Sequence, residues 1–254
     1  MVEVIISDLD DTLLRSDKII SDYTVDVLKK CQTAGIKIVF ATARSSQASL
    51  KYLERFMPDI FVSYGGALVM AGENIIHRFD IPPDIANQII KECMETQGVT
   101  RIHAVNESVA LSNGPDSDMT HYHYSDFYCD YGNSYLKISI TASNPAIVDN
   151  IASHFPMCDM LRYTGEDLYR FANRNAVKWK VVKSIAKHYG FDTDTFIAFG
   201  DDVNDLEMIQ KCGIGVAVEN AISDVQSAAK YICGTNNNDG VAKWIEEHLL
   251  FQNG

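Results

Sequence analysis

Three aspartates crowd the end of a short apolar run. Val4, Ile5 and Ile6 lead directly into Ser7, Asp8, Leu9, Asp10, Asp11 and Thr12. Like charges this close repel, and burying them is costly unless something compensates. If the strand persists, its two-residue period points Asp8 and Asp10 the same way. A divalent cation would resolve the repulsion, and an all-oxygen carboxylate set suits a hard ion such as Mg²⁺. An isolated Asp-x-Asp is also an ordinary turn sequence.

Three more groups sit in comparable places. Ala41-Thr42-Ala43-Arg44 follows the apolar run IKIVFAT. A hydroxyl and backbone N–H groups at a helix start can hold phosphate oxygens, although Thr42 or Ser45 would equally serve as a helix N-cap. Lys178 opens a helix-period stretch, where a point charge can neutralise a phosphoryl oxygen and an aspartate together. Composition does not separate it from Lys180, Lys183 and Lys187, which read as solvated lysines. Gly200-Asp201-Asp202-Val203-Asn204-Asp205 follows the run TFIAF. Asp201 and Asp205 are four apart near a helix N-terminus, which favours negative charge. The density of carboxylates there exceeds what helix capping requires and points to a metal.

The elements that must position these groups are strands and helices in alternation. VEVIIS, IKIVFAT, DIFVSYGG, TFIAFG, GIGVAV and KYICG read as strands. SDYTVDVLKKCQTAG, with Ser21 as N-cap and Gly35 as stop, reads as a helix, as do SQASLKYLERFM, VKWKVVKSIAKHYG, VNDLEMIQKCG, ISDVQSAAK and DGVAKWIEEHLL. Continuous rather than alternating apolar runs mark strands buried on both faces, hence an α/β fold with a parallel sheet wound by helices on each side. The middle of the chain differs. It carries the helices DIANQIIKECMETQG and PAIVDNIASHF and the strand-like pieces TRIHAV, SVALSNG, YLKISITA, MLRY and LYRFAN. The alternation in YLKISIT predicts a sheet with one exposed face. Residues 1–80 and 176–254 therefore read as one discontinuous domain, and 81–175 as a small mixed α/β unit inserted into it, with IPPD and NRNA at the junctions.

Bulk properties bound the function. With 254 residues, 46% of them hydrophobic, a sizeable core is available, and a net charge of −12 disfavours nucleic acid as a partner. Six scattered cysteines without a C-x-x-C pair argue against a zinc site and a disulfide framework. No stretch reads as a signal or a membrane span, so the expectation is a cytoplasmic protein, monomeric or weakly dimeric, without a membrane partner.

Taken in order, DLDDTLL, ATAR, Lys178 and GDDVND resemble the motifs of the haloacid dehalogenase superfamily of phosphatases, in its Cof-type branch, where a cap domain lies between the second and third motifs. The tail GIGVAVENAISDVQSAAKYICGTNNNDGVAKWI is also similar to the family's ending. The resemblance implies a doubly wound, Rossmann-like core with an inserted α+β cap domain. It also implies a Mg²⁺-dependent phosphoric monoester hydrolase acting on small phosphorylated metabolites, sugar phosphates first. Asp8 would be the nucleophile that forms an aspartyl-phosphate. Asp10 would be the general acid and base, which requires its pKa to sit above that of Asp8. Asp8, the backbone carbonyl of Asp10 and Asp201 would hold Mg²⁺, with Asp205 close by. Thr42, Ala43, Arg44, Lys178 and Asn204 would bind the phosphoryl group. Two positions depart from the family pattern: Trp179 stands where a glycine is usual, and Gly65 where an asparagine is common. A phosphomutase of the same superfamily and a catalytically silent phospho-ligand-binding protein are the alternatives.

The stretch HYHYSDFYCDY, His121 to Tyr131, is rich in hydrogen-bonding aromatics. A sugar-recognition wall, a metal site and a plain sheet of amphipathic aromatics all fit it, and the plain sheet is preferred.

Overall fold

The computed structural model describes residues 2–114, 122–128 and 132–250. Two compact units divide the chain: residues up to His77 together with those from Val177 onward, and Arg78–Ala176.

In chain order, the first unit opens with β1 (Val4–Ser7), α1 (Asp22–Thr33), β2 (Lys37–Ala41), α2 (Ser46–Arg55), β3 (Ile60–Ser63), β4 (Leu68–Ala71) and β5 (Asn74–Arg78). The second unit holds α3 (Pro83–Glu95), β6 (Val99–Val105), β7 (Ala110–Ser112), β8 (His123–Tyr124), β9 (Lys137–Ala142), α4 (Pro145–Ser153), β10 (Cys158–Arg162) and β11 (Leu168–Asn173). The chain then returns with α5 (Lys178–Tyr189), β12 (Phe196–Gly200), α6 (Leu206–Lys211), β13 (Ile214–Val218), α7 (Ser223–Ala228), β14 (Tyr231–Cys233) and α8 (Gly240–Ile245).

The large sheet runs β14-β13-β12-β1-β2-β3-β4-β5, parallel from β14 through β3. Every residue of β1 is buried because side chains leave it on both sides. Ile5 joins Phe40, Ile197 and Phe199 in one layer, while Val4 and Ile6 join Val39 and Ala198 in the other. That is why the strand sequences are unbroken apolar runs. Ser21 caps α1 by accepting the Thr24 N–H at 3.0 Å. Gly35 takes φ +85 just after the helix ends, and Gly190 closes α5 at φ +73.

Winding proceeds from β1 outward through β2 and β3. After the insertion it resumes at β12 on the other side of β1. The carboxyl ends of β1, β2 and β12 therefore meet at the switch point of the sheet, the usual ligand crevice of such folds. Strands β4 and β5 were not among the expected elements. β4 pairs antiparallel with β3 as the chain doubles back, and Gly72, at φ +58, lies in the turn that joins it to β5.

The second unit is a six-stranded sheet, β10-β11-β9-β6-β7-β8, antiparallel except where β7 meets β8. One face packs Ile102, Ala104, Ile138, Ile140 and Phe171 with Ile89, Ile90, Val148 and Ile151 of α3 and α4. Alternation puts Arg101, His103, Lys137, Ser139, Thr141 and Arg170 on the opposite face. The α/β class and the inserted α+β unit agree with the sequence reading.

Candidate active site

The site grows from the end of β1. The Asp8 backbone N–H donates to the Phe199 carbonyl at 3.1 Å, which ties the turn to β12. Its carboxylate is nearly buried, and Oδ1 accepts a hydrogen bond from Lys178 Nζ at 2.6 Å. The same ammonium donates to Asp205 Oδ1, also at 2.6 Å. Lys178 is the first residue of α5 and is only 2% exposed, so it is not a solvated lysine like Lys187. Burial opposes its charge, but the two carboxylates raise its pKa well above the ordinary lysine value. Trp179, the next residue of α5, packs partly buried against the core, with Lys183 and Lys211 over its ring at 5.8 and 5.6 Å.

Asp205 is fully buried, and both its oxygens are engaged. Oδ1 meets Lys178, while Oδ2 accepts the N–H groups of Asp201 and Asp202 at 3.2 and 3.4 Å. This folding-back makes Val203–Asp205 a separate 3₁₀ turn ahead of α6, rather than the first turn of one continuous helix. It also explains Gly200: a Cβ there would lie 2.4 Å from Asp205 Cβ. Asp201 accepts the Thr12 hydroxyl at 2.5 Å on Oδ1. Thr12, 1% exposed, is a site residue that spacing alone did not single out, because its partner is 189 positions away.

Asp10 lies elsewhere. The strand ends at Ser7, and Asp11 turns the chain at φ +55, so the two-residue period does not carry through. The Asp10 carboxylate takes a bidentate pair from Arg44, Nε to Oδ2 and Nη2 to Oδ1 at 2.6 Å each, with Lys18 Nζ 3.2 Å from Oδ1. Arg44, expected on the phosphoryl group, is thus on an aspartate. The expected order of pKa values is also reversed. Burial pushes the Asp8 carboxyl well up, aided by Asp205 and Asp201, against the pull of Lys178. At Asp10 burial acts upward too, yet the Arg44 and Lys18 contacts hold it below the usual range. Burial and the Asp205 charge push Asp201 up to about 7.

The loop after β2 lies at the same end of the sheet. Thr42 is buried, and its Oγ1 accepts the Arg44 N–H at 3.1 Å. Ser45, not Thr42, caps α2 through the Ala48 N–H. The loop after β3 braces this segment: Tyr64 N–H donates to the Arg44 carbonyl at 2.8 Å and Gly65 N–H to the Thr42 carbonyl at 2.9 Å. Gly65 sits at φ +69, so the departure there keeps a residue suited to the left-handed region. Ala43 lies between Thr42 and Arg44 in the same loop. Asn204 Oδ1 is buried with no hydrogen-bond partner among the described residues.

A divalent cation fits this donor set. Asp8, Asp201 and Asp205 each offer a carboxylate oxygen within 4.8 Å of the others. Among the described residues, Asp8 Oδ2 and Asp201 Oδ2 carry no hydrogen bond, whereas Asp205 is saturated. Asp8 and Asp201 are therefore the better ligands, with Asp205 as the group that positions Lys178. All donors are hard oxygens, as Mg²⁺ requires.

In the aromatic stretch, Tyr124 and Tyr128 are exposed and Phe127 is buried. The Tyr122 ring meets His103 edge-on at 5.1 Å. His121, Cys129, Asp130 and Tyr131 lie outside the described residues. The five described cysteines are free thiols. Among the described residues, no helix is long and apolar enough to cross a membrane.

Residues 5–245 match the model of the haloacid dehalogenase-like hydrolases. The chain is 27% identical to the 5-amino-6-(5-phospho-D-ribitylamino)uracil phosphatase of Bacillus subtilis, over 95% of this chain and 96% of that protein. It is 25% identical to the HMP-PP phosphatase of an Enterobacter species, over 95% and 94%. Among solved structures, a subclass IIB sugar phosphatase of the superfamily is similar at a TM-score of 0.84 and 22% identity, covering 97% of this chain and 98% of the other.

Proposed function

The chain belongs to the haloacid dehalogenase-like hydrolases, a phosphatase lineage, and from that premise we propose that it hydrolyses small phosphate monoesters through a phosphoryl group carried on Asp8. The observation that carries this reading is the Asp8–Lys178–Asp205 triad at the switch point. It holds one carboxylate by a single oxygen, beside a cation, at the sheet's ligand crevice.

Asp8 attacks phosphorus in line through one carboxylate oxygen and keeps the other toward Lys178 and the cation site, forming the acyl phosphate as the ester oxygen departs. Lys178, fixed by Asp205, neutralises charge on the nucleophile and on the phosphoryl oxygens it approaches. Thr42, the backbone of Ala43 and Asn204 are donors for those oxygens. Asp10 protonates the leaving oxygen and then takes a proton from the water that opens the acyl phosphate. To do so its carboxylate must leave Arg44, so the bidentate pair is a resting arrangement. Asp8 and Asp201, with the Asp10 carbonyl, would hold Mg²⁺. When bound, the ion would supply the positive charge that keeps Asp8 ionised and screens it from the phosphate. Sugar phosphates are the first substrates to try.

The test is phosphate release from a panel of small monoesters, with Mg²⁺ and with chelator. Release that needs the metal and vanishes in a folded Asp8→Asn protein supports the reading. Undiminished release by Asp8→Asn overturns it.

A further inference from the structure

The turn after β1 is held from the far end of the chain. Beyond Ser7 the backbone leaves the strand, passes Asp11 at φ +55 and closes with the Leu14 N–H on the Leu9 carbonyl at 2.8 Å. A left-handed residue that carries a Cβ persists where its surroundings over-determine it. Here that residue has Asp10 on one side and Thr12, bonded to Asp201, on the other.

Asn220, in the turn between β13 and α7, donates from Nδ2 to the Asp11 carbonyl at 2.6 Å. Its Oδ1 accepts the N–H of Asn236, from the loop between β14 and α8, at 3.0 Å. Asn236 is 4% exposed and donates from its own Nδ2 to the Leu14 carbonyl at 2.9 Å. One residue on, the Ser16 N–H donates to Asn237 Oδ1 and Asn237 Nδ2 donates to the Ser16 hydroxyl, each at 2.9 Å. Asp239 pairs with Arg15. The holding loops are themselves fixed. The Ile222 N–H donates to the Asp201 carbonyl at 2.9 Å, so the turn that bears Asn220 is tied to the loop that bears Asp201. The Asn238 and Gly240 N–H groups both donate to the Thr235 carbonyl at 3.0 Å. The two asparagines thus reach across 209 and 222 positions of sequence to backbone carbonyls of one turn. Asn220 is exposed, so its side chain adds little to global stability, yet it meets the carbonyl of the left-handed residue itself.

We propose that Asn220 and Asn236 are positioning residues for the hydrolysis proposed above, on which this inference rests: by gripping the carbonyls of Asp11 and Leu14 they hold the turn that sets Asp10 within reach of the leaving oxygen. Neither side chain is among the groups placed on the phosphoryl oxygens or the cation, so both act through the backbone. A general acid works only within hydrogen-bond reach of the atom it protonates. A misplacement of about 1 Å costs rate heavily. Because Asn220 joins the turn after β1 to a loop anchored on Asp201, it registers the acid, from β1, against the cation site, shared with β12.

The experiment compares the full-length parent with Asn220→Ala, whose exposed site should leave melting within a few degrees of the parent. The ratio kcat/KM is measured for an alkyl phosphate monoester, whose leaving oxygen needs a proton, and for p-nitrophenyl phosphate, whose leaving oxygen does not. That ratio ends at phosphoryl transfer, so the later water step does not enter it. Asn220→Ala is expected to lower it by about tenfold for the alkyl ester and by less than about threefold for p-nitrophenyl phosphate. Amide exchange in chelator should quicken by about tenfold in the turn from Leu9 to Ser16 and stay unchanged in β2 and β13. Asn236→Ala, at a buried position, should give the same pattern with a lower melting temperature. Equal losses on the two esters, unchanged exchange in the turn, or faster exchange with undiminished alkyl turnover would each overturn the proposal. Failure of the hydrolysis itself would appear in the parent, as no Mg²⁺-dependent release that Asp8→Asn abolishes. Failure of the positioning role alone would appear only in the variants of an active parent.

Discussion

Replacing Lys178 by methionine tests the electrostatic centre without changing its bulk much. Lys178 Nζ is the sole cation within hydrogen-bond reach of both Asp8 and Asp205 among the described residues, at 2.6 Å from each. Neither carboxylate has water to fall back on, since Asp205 is fully buried and Asp8 nearly so. Removing one partner of a buried ion pair costs about 3–5 kcal/mol. For a chain of this size that lowers Tm by on the order of 10 °C. The loss must depend on pH, with a sign that follows from linkage. Without Lys178 the folded-state pKa of Asp8, already raised by burial, rises further above its unfolded value. Such groups leave stability intact below the unfolded pKa and remove it as pH rises through the folded one. The variant should therefore be close to the parent at pH 4.5 and far below it at pH 7.5. Thermal or urea unfolding in chelator at both pH values measures this, and Mg²⁺ should restore part of the deficit at pH 7.5. An equal deficit at the two pH values, or a loss under about 1 kcal/mol at pH 7.5, would refute the reasoning, because the pair would then behave as a solvated surface contact.

Other consequences follow from neighbouring contacts. Asp201, raised to about 7 by burial and Asp205, should make the metal-free parent less stable at pH 8 than at pH 5, by roughly 2–3 kcal/mol, and a divalent cation should flatten that slope in unfolding curves. Gly200→Ala pushes Asp205 off Lys178; unfolding should show a loss of about 1–3 kcal/mol, and phosphate release should fall steeply. Arg44→Gln frees Asp10 from the group that depresses it, so the alkaline limb of the pH–rate profile should move to higher pH, since a general acid with a raised pKa keeps its proton longer. Thr12→Val deletes the hydrogen bond that favours ionised Asp201 and should weaken Mg²⁺ binding, read by calorimetry, by about tenfold.

The sequence carried the site unevenly. Asp8, Thr42 and Asp201 were legible because each follows an unbroken apolar run, and a parallel sheet buried on both faces delivers all such strand ends to one edge. Lys178 was legible only as part of an ordered set; its burial depends on how α5 packs, which composition does not encode. The Arg44–Asp10 and Thr12–Asp201 contacts were not legible, since they join residues 34 and 189 positions apart and depend on a turn at Asp11 that ends the strand period early. Strands β4 and β5 were missed although Ala71-Gly72-Glu73-Asn74 carried a turn signal, because β5 is largely exposed and shows no apolar alternation. In the inserted sheet, the alternation of Lys137, Ser139 and Thr141 with Ile138 and Ile140 announced one polar face. Only the pairing register brought Arg101, His103 and Arg170 onto it.

The central claim is that Asp8 carries the phosphoryl group. The direct measurement is to quench the enzyme during turnover of its best panel substrate, using Asp10→Asn to slow breakdown, and to map the phosphorylated peptide. The account predicts an acid-stable, base-labile phosphoryl group on Asp8 within residues 4–14, absent when Asp8 is asparagine. A phosphoryl group on another residue, or steady hydrolysis with Asp8 never modified, would contradict it.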